Sequence, residues 1–256
     1  MKPKAAILFT SGTNCDQETM FAFEKAGGTS QLVHTSQLKG GEARLQDFQV
    51  IIIPGGFSYG DHLGSATVWA NELKSFLWAG LLRFSQKGGL ILGICNGFQV
   101  LVRLGLLPNL EGFGKEEVAL AVNESGRFEC RWVNLRVEPQ SSCVFTKNID
   151  RFYLPVAHGE GNFVPGNEKV AEALEQRNLI CVRYCDEKGE PTQKYPLNPN
   201  GSYKAIAGIC DRTGRIFGLM PHPERHILPQ HHPNFFLGET AGSGFYLFKN
   251  AINYFK

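Results

Sequence analysis

The feature that most constrains the fold is a pair of short runs that are apolar at every position, Val50–Ile53 and Leu90–Ile94. Alternating polarity would mark a strand with one wet face. Unbroken aliphatic residues mark a strand covered on both faces, as in a parallel sheet sandwiched between helices. The first run stops at Pro54-Gly55-Gly56, and the second leads straight into Cys95. Between them Leu73, Phe76, Leu77, Gly80, Leu81 and Phe84 recur at helical spacing before Gly88-Gly89, which predicts one face of a packed helix. Residues 5–9 predict an earlier strand, followed by a helix capped by Thr13 or Asn14 and ended by Gly27-Gly28. After Cys95 a further helix carries Phe98, Leu101 and Val102 and closes near Gly105. Strand, helix, strand, helix predicts an α/β three-layer sandwich around a largely parallel central sheet.

The middle of the chain reads as a β-rich extension of that sandwich. Apolar residues alternate over 128–137, with a phase slip between Trp132 and Val133 that predicts a bulge. Residues 205–210 and 215–220 flank Asp211-Arg212-Thr213-Gly214, which predicts a hairpin with Gly214 left-handed. Neither a repeat nor a linker breaks the pattern, so residues 1–256 are expected to form a single domain.

Composition narrows the ligands. A net charge of +2, from 26 basic and 24 acidic residues interspersed, leaves no footprint for nucleic acid. The apolar run near the N-terminus is too short for a secretory signal, and no apolar stretch reaches the length of a membrane span. Seven cysteines without CxxC pairs point to the reducing cytoplasm and mostly to buried thiols. Cys181 and Cys185 do not match a zinc pair, and His226, His231 and His232 lack partner ligands at recognised intervals, so no metal is expected.

Chemistry concentrates in two segments. Gly93-Ile94-Cys95-Asn96-Gly97 lies between a buried strand and a helix, the setting of a nucleophile elbow, where small residues on both sides permit a turn tight enough to expose the side chain. The start of a helix also favours negative charge on the sulfur. Most cysteines on core strands are inert, so the flanking glycines carry this reading. A thiolate attacking an amide needs a proton donor for the departing nitrogen and a group to orient that donor. Pro221-His222-Pro223-Glu224 offers both, with the proline holding an extended segment in which His222 and Glu224 point the same way; a histidine that simply packs or caps is the plainer alternative. Gly55 and Gly56 supply unobstructed backbone amides for half of an oxyanion hole and Asn96 for the other half, although a double glycine more often serves a turn. Gln99, four residues past Cys95 on the same helix face, is either a substrate contact or a solvated residue. Cys15 is either a second reactive thiol or a packed one.

Residues 93–99 together with Pro221-His222-Pro223-Glu224 resemble the nucleophile and His/Glu motifs of class I glutamine amidotransferases. Residues 54–61, 157–161, 198–202 and 220–225 are similar to those of one branch, which feeds ammonia to the conversion of formylglycinamide ribonucleotide to formylglycinamidine ribonucleotide in purine synthesis. The resemblance implies Cys95, His222 and Glu224 as the catalytic triad. It also implies Gln99 and His158 as contacts of the substrate glutamine. No cofactor is expected on this chain. ATP and Mg belong to a partner, an ATP-dependent synthetase subunit, with or without a third small subunit. The insert at residues 186–196 resembles fused, single-chain members of the branch.

Overall fold

The computed structural model describes residues 2–237 and 242–256. In chain order the strands are β1 (Lys4–Phe9), β2 (Thr29–His34), β3 (Val50–Ile53), β4 (Leu90–Ile94), β5 (Val118–Ala121), β6 (Glu129–Val137), β7 (Arg151–His158), β8 (Asn162–Pro165), β9 (Ile180–Cys185), β10 (Ile206–Cys210) and β11 (Ile216–Leu219). The helices are α1 (Asp16–Lys25), α2 (Thr35–Lys39), α3 (Thr67–Gln86), α4 (Asn96–Arg103), α5 (Glu168–Gln176) and α6 (Phe245–Asn253).

Nine strands form one sheet in the order β2-β1-β3-β4-β11-β10-β9-β6-β7, with β5 and β8 paired separately. From β2 to β11 neighbours run parallel. From β11 onward they run antiparallel, and this half is the β-rich extension. The connection from β1 steps one way along the sheet and that from β3 the other. Right-handed crossovers therefore put α1 and α3 on opposite faces. Such a reversal opens a crevice beyond the carboxyl ends of the strands. β3 and β4 are buried at every position, as their unbroken apolar runs require. On α3, Trp69, Ala70, Leu73, Leu77, Leu81 and Phe84 form the buried stripe. Among the described residues no helix is long and apolar enough to cross a membrane.

Two expectations are corrected and one strand is added. Cys15, not Thr13 or Asn14, is the N-cap of α1, and its side chain makes no capping bond; the Thr13 hydroxyl instead accepts from the Thr10 amide. β6 has no bulge, because it pairs with β7 residue for residue from Glu129 to Arg136. Trp132 points away from the Val133 side and is covered by Tyr153, His226 and His232. Both faces of β6 are thus apolar at that point, which mimics a phase slip. The β10–β11 hairpin forms as read, with Gly214 at φ 68°. The strand Thr29–His34 was not expected from its sequence: only Val33 in it is fully buried.

Candidate active site

Adjacent strands β3, β4 and β11 end side by side, and the segments leaving them carry Gly55 and Gly56, then Cys95, then His222 and Glu224. The fold thereby gathers residues far apart in the chain. Cys95 stands between β4 and α4 at φ 51°, ψ −106°, a conformation that costs an L-residue of order 1–3 kcal/mol. Close packing holds it there. A Cβ on Gly97 would collide with the Ile53 carbonyl of β3, and one on Gly93 would lie 2.6 Å from the Gly97 carbonyl oxygen. Gly97→Ala must therefore push α4 off β3. We expect a loss of about 3 kcal/mol of stability, roughly 6–12 °C in unfolding midpoint for a chain of this size, together with displacement of Cys95 from its turn. Calorimetry of the purified variant tests this, and an unchanged midpoint would contradict the packing argument.

His222 and Glu224 are each 1% exposed, and His222 Nδ1–H donates to Glu224 Oε1 at 2.6 Å. The pair does not lie on an extended segment, since Pro223–Arg225 is a single 3-10 turn. The proline starts that turn rather than preventing one, and the turn swings the carboxylate back onto the imidazole. With Nδ1 engaged, Nε2 is buried without a hydrogen-bond partner among the described residues, and the Cys95 thiol is close enough to act on the ring electrostatically. Burial alone would lower the His222 pKa; the Glu224 carboxylate and then Cys95 outweigh it and hold the pKa well above the usual histidine range. Cys95 Sγ lies 3.7 Å from the Ala157 carbonyl oxygen.

Gly55 leaves room for the imidazole: a Cβ there would come 2.7 Å from His222 Cε1. Gly56 (φ 147°) presses on the Thr13–Asn14 backbone. The Asn96 amide opens α4, whose first amides have no intrahelical acceptor. The Asn96 side chain accepts from the Ser58 amide at 3.4 Å and donates to Asp61 Oδ1 at 3.3 Å and to Gln99 Oε1 at 3.0 Å. It ties the nucleophile helix to a loop in which Tyr59, Asp61, Leu63 and Ala66 all have positive φ.

The two expected glutamine contacts have protein partners. Gln99 spans from Asn96 to the Glu160 carbonyl, to which its Nε2 donates at 2.6 Å, and it is 4% exposed. It is neither a solvated residue nor one with an uncommitted amide. His158, at the end of β7, lies 3.1 Å through Nδ1 from Asn123 Oδ1. Burial and the nearby His222 press its pKa down to about 3, so the ring is neutral at pH 7. Asn200 Nδ2 donates to the Gly161 carbonyl at 2.8 Å and to the Tyr184 hydroxyl at 3.1 Å, bracing the turn after His158.

A third neighbour of His222 is Cys15, expected as either a second reactive thiol or a packed one and here fully buried. Cys15 Sγ lies 3.9 Å from His222 Nδ1, on the Glu224 side of the ring, and accepts from Arg225 Nη2 at 3.0 Å. Burial pushes its thiol pKa up. Thr13-Asn14-Cys15-Asp16 and the Arg225 that follows Glu224 lie far apart in the chain, and only the packing of the start of α1 against the 223–225 turn gives them a shared place.

Residues 2–255 match the family of CobB/CobQ-like glutamine amidotransferase domains. The chain is 48% identical to phosphoribosylformylglycinamidine synthase subunit PurQ of Dehalococcoides mccartyi, over 99% of this chain and 98% of the relative. It is 45% identical to the subunit of the same name from Methanococcus maripaludis strain S2, over 99% and 97%. Among solved structures, PurLQS from Thermotoga maritima aligns over the whole of both chains with TM-score 0.77 and 32% identity. A family match over almost the whole chain and full-length identity of this size lead to one family: the chain belongs to the PurQ subunits of phosphoribosylformylglycinamidine synthase, which are glutamine amidotransferases.

Proposed function

We propose that the whole chain works as one glutaminase unit in which Cys95 attacks the side-chain amide of glutamine and His222, held by Glu224, manages the protons. The observation that carries this reading is the Cys95 turn at φ 51° beside an imidazole whose Nδ1 is taken by a buried carboxylate. Attack of the sulfur on the amide carbon forms the C–S bond and moves the C=O electrons onto oxygen. Backbone amides at Gly55, Gly56 and Asn96 are the donors we assign to that oxyanion. His222 Nε2–H then protonates the nitrogen, so that ammonia leaves as the C–N bond breaks. Water, deprotonated by the same nitrogen, cleaves the glutamyl thioester and releases glutamate and the free thiol. Gln99 and His158 serve this site by fixing the Glu160 and Gly161 turn against α4 and β7.

The ammonia would pass to an ATP-dependent synthetase subunit that converts formylglycinamide ribonucleotide to formylglycinamidine ribonucleotide. We assign ATP and Mg to that partner and no cofactor to the glutaminase step. We also place the chain in the cytoplasm, where its seven free thiols stay reduced.

A glutamine analogue with an electrophile at the amide position tests the site. It should label Cys95 and spare the other thiols, with Cys15 the informative comparison. Both interact with His222, but Cys15 is fully buried and lies against Nδ1, the nitrogen taken by Glu224, whereas Cys95 stands on the tight turn at the start of α4. Peptide mapping that finds the adduct on Cys15 would overturn the assignment.

A further inference from the structure

At the end of the sheet remote from Cys95, three thiols meet. Cys143 comes from the loop between β6 and β7, Cys181 is the second residue of β9, and Cys210 is the last of β10. Cys210 pairs with Phe217 near the start of β11, while Cys95 follows the residue paired with Leu219 at its end. The three sulfurs all lie within 4.8 Å of one another, and the residues are 2%, 0% and 0% exposed. Ser141 Oγ joins them, 3.3 Å from Cys181 Sγ and 3.9 Å from Cys210 Sγ. None of these groups takes part in the glutaminase chemistry.

The site is built rather than incidental. The Cys143 amide donates to Ser141 Oγ at 3.3 Å, the Val144 amide to the Gly214 carbonyl at 2.9 Å, and the Glu138 amide to the Cys181 carbonyl at 2.8 Å. Asn250 Nδ2 donates to the carbonyls of Phe145 and Lys147. The loop is clamped over the ends of β9 and β10 from both sides, so the three thiols are held at their separation by separate elements. Zinc bound at about 2.3 Å to each sulfur needs sulfur-to-sulfur edges of about 3.8 Å, with a slightly shorter edge to an oxygen ligand. With every sulfur within 4.8 Å of the others and Ser141 Oγ at 3.3 and 3.9 Å from two of them, small adjustments of the side chains would reach those edges. A cavity of about 640 Å³, lined by Ser141, Ser142, Cys143, Thr146 and Asn148 among others, reaches the cluster at Cys143 and Ser141 and provides a way in.

We propose that Cys143, Cys181 and Cys210 form a structural zinc site, with Ser141 Oγ or a water as fourth ligand, that staples the 139–146 loop to the sheet. Binding converts three thiols to thiolates and releases three protons to solvent, leaving a site of net charge −1. Spacing in the sequence hides such a site, because no two of the three ligands are close along the chain.

The test uses tag-free full-length protein incubated with zinc chloride, passed over a desalting column and measured by elemental analysis. One zinc per chain is expected for the wild type, and for Cys130→Ser, which alters an exposed thiol. Cys15→Ser should also keep its zinc, since that substitution breaks the separate grouping of Cys15 with His222 and Glu224. Cys143→Ser should bind at least tenfold more weakly, because a hydroxyl replaces one of three thiolates. Cobalt chloride added to the wild type should give sulfur-to-cobalt charge-transfer absorption of tetrahedral type, a readout that needs no variant to fold. Chelation should lower the unfolding midpoint of the zinc-loaded wild type and leave that of Cys143→Ser unchanged. Absence of bound zinc and of the cobalt spectrum would overturn the proposal. So would retention of zinc by Cys143→Ser, its loss in Cys15→Ser, or a disulfide joining two of the three sulfurs in protein purified under reducing conditions.

Discussion

Cys95→Ala, assembled with the synthetase, is expected to lose glutamine-dependent product formation by roughly 10⁴-fold or more, the scale seen when a nucleophile acting as part of a unit is removed. The same complex should still work at the wild-type rate when an ammonium salt replaces glutamine. The two halves of this expectation rest on different facts. The loss follows because no other thiol can substitute: Cys15, the nearest candidate, sits across the imidazole at Nδ1, on the side held by Glu224. The retention follows because alanine asks nothing new of the backbone. Both are L-residues with a Cβ, so the φ 51° turn costs the same, and Gly93 and Gly97 still fit against α4 and β3. Steady-state rates with each nitrogen source on one preparation decide the matter. Loss of ammonia-dependent synthesis in a properly assembled variant complex would show that Cys95 supports more than ammonia release.

What could be read from the sequence follows how local its cause is. β3, β4 and the β10–β11 hairpin are set by residues within the element, namely unbroken aliphatic runs or a Gly that must be left-handed, and all three appear where expected. β2 is an edge strand with a half-wet surface, so its side chains carry neither an unbroken apolar run nor a clean alternation. The misjudged bulge in β6 has a similar origin: Trp132 is apolar because the 226–232 segment covers it, and nothing within β6 announces that cover.

The site divides in the same way. The elbow is local, since its glycines and its cysteine lie within five consecutive residues. The pairing of His222 with Glu224 was also anticipated, although through the wrong backbone, because a proline between two residues is compatible with both an extended segment and the first position of a 3-10 turn. Gln99 and His158 could be placed near the cysteine but not assigned partners, because Glu160 and Asn123 reach them from distant stretches of chain. Cys15 was the least legible. Its position against His222 depends on β1 being next to β3, and on Gly55 having no side chain to keep the two apart.

The same geometry fixes how the losses at His222 and Glu224 should differ. General acid–base help is worth about 10²- to 10⁴-fold, so His222→Ala should reduce glutamate release by roughly that factor in the assembled complex. Glu224→Ala should lose less. At 1% exposure His222 has little access to solvent, but Cys15 Sγ at 3.9 Å remains beside Nδ1 and provides a weaker partner for the ring. The pH profile adds a sign. The Glu224 carboxylate is the largest of the neighbours that raise the His222 pKa, so without it the imidazolium form is lost at lower pH, and the limb of the profile that reports His222 should move down. A merely structural role for Glu224 would change the rate without moving that limb. The two substitutions also differ in stability. His222→Ala strands a buried carboxylate whose Oε1 has lost its donor, a change that typically costs about 3–5 kcal/mol, so unfolding midpoints must accompany the kinetics. Because one residue acts only through the other, the double variant should be no worse than His222→Ala alone. A double loss equal to the product of the single losses, or near-native turnover in a folded His222→Ala complex, would remove His222 and Glu224 from the roles assigned here even with Cys95 established as the nucleophile.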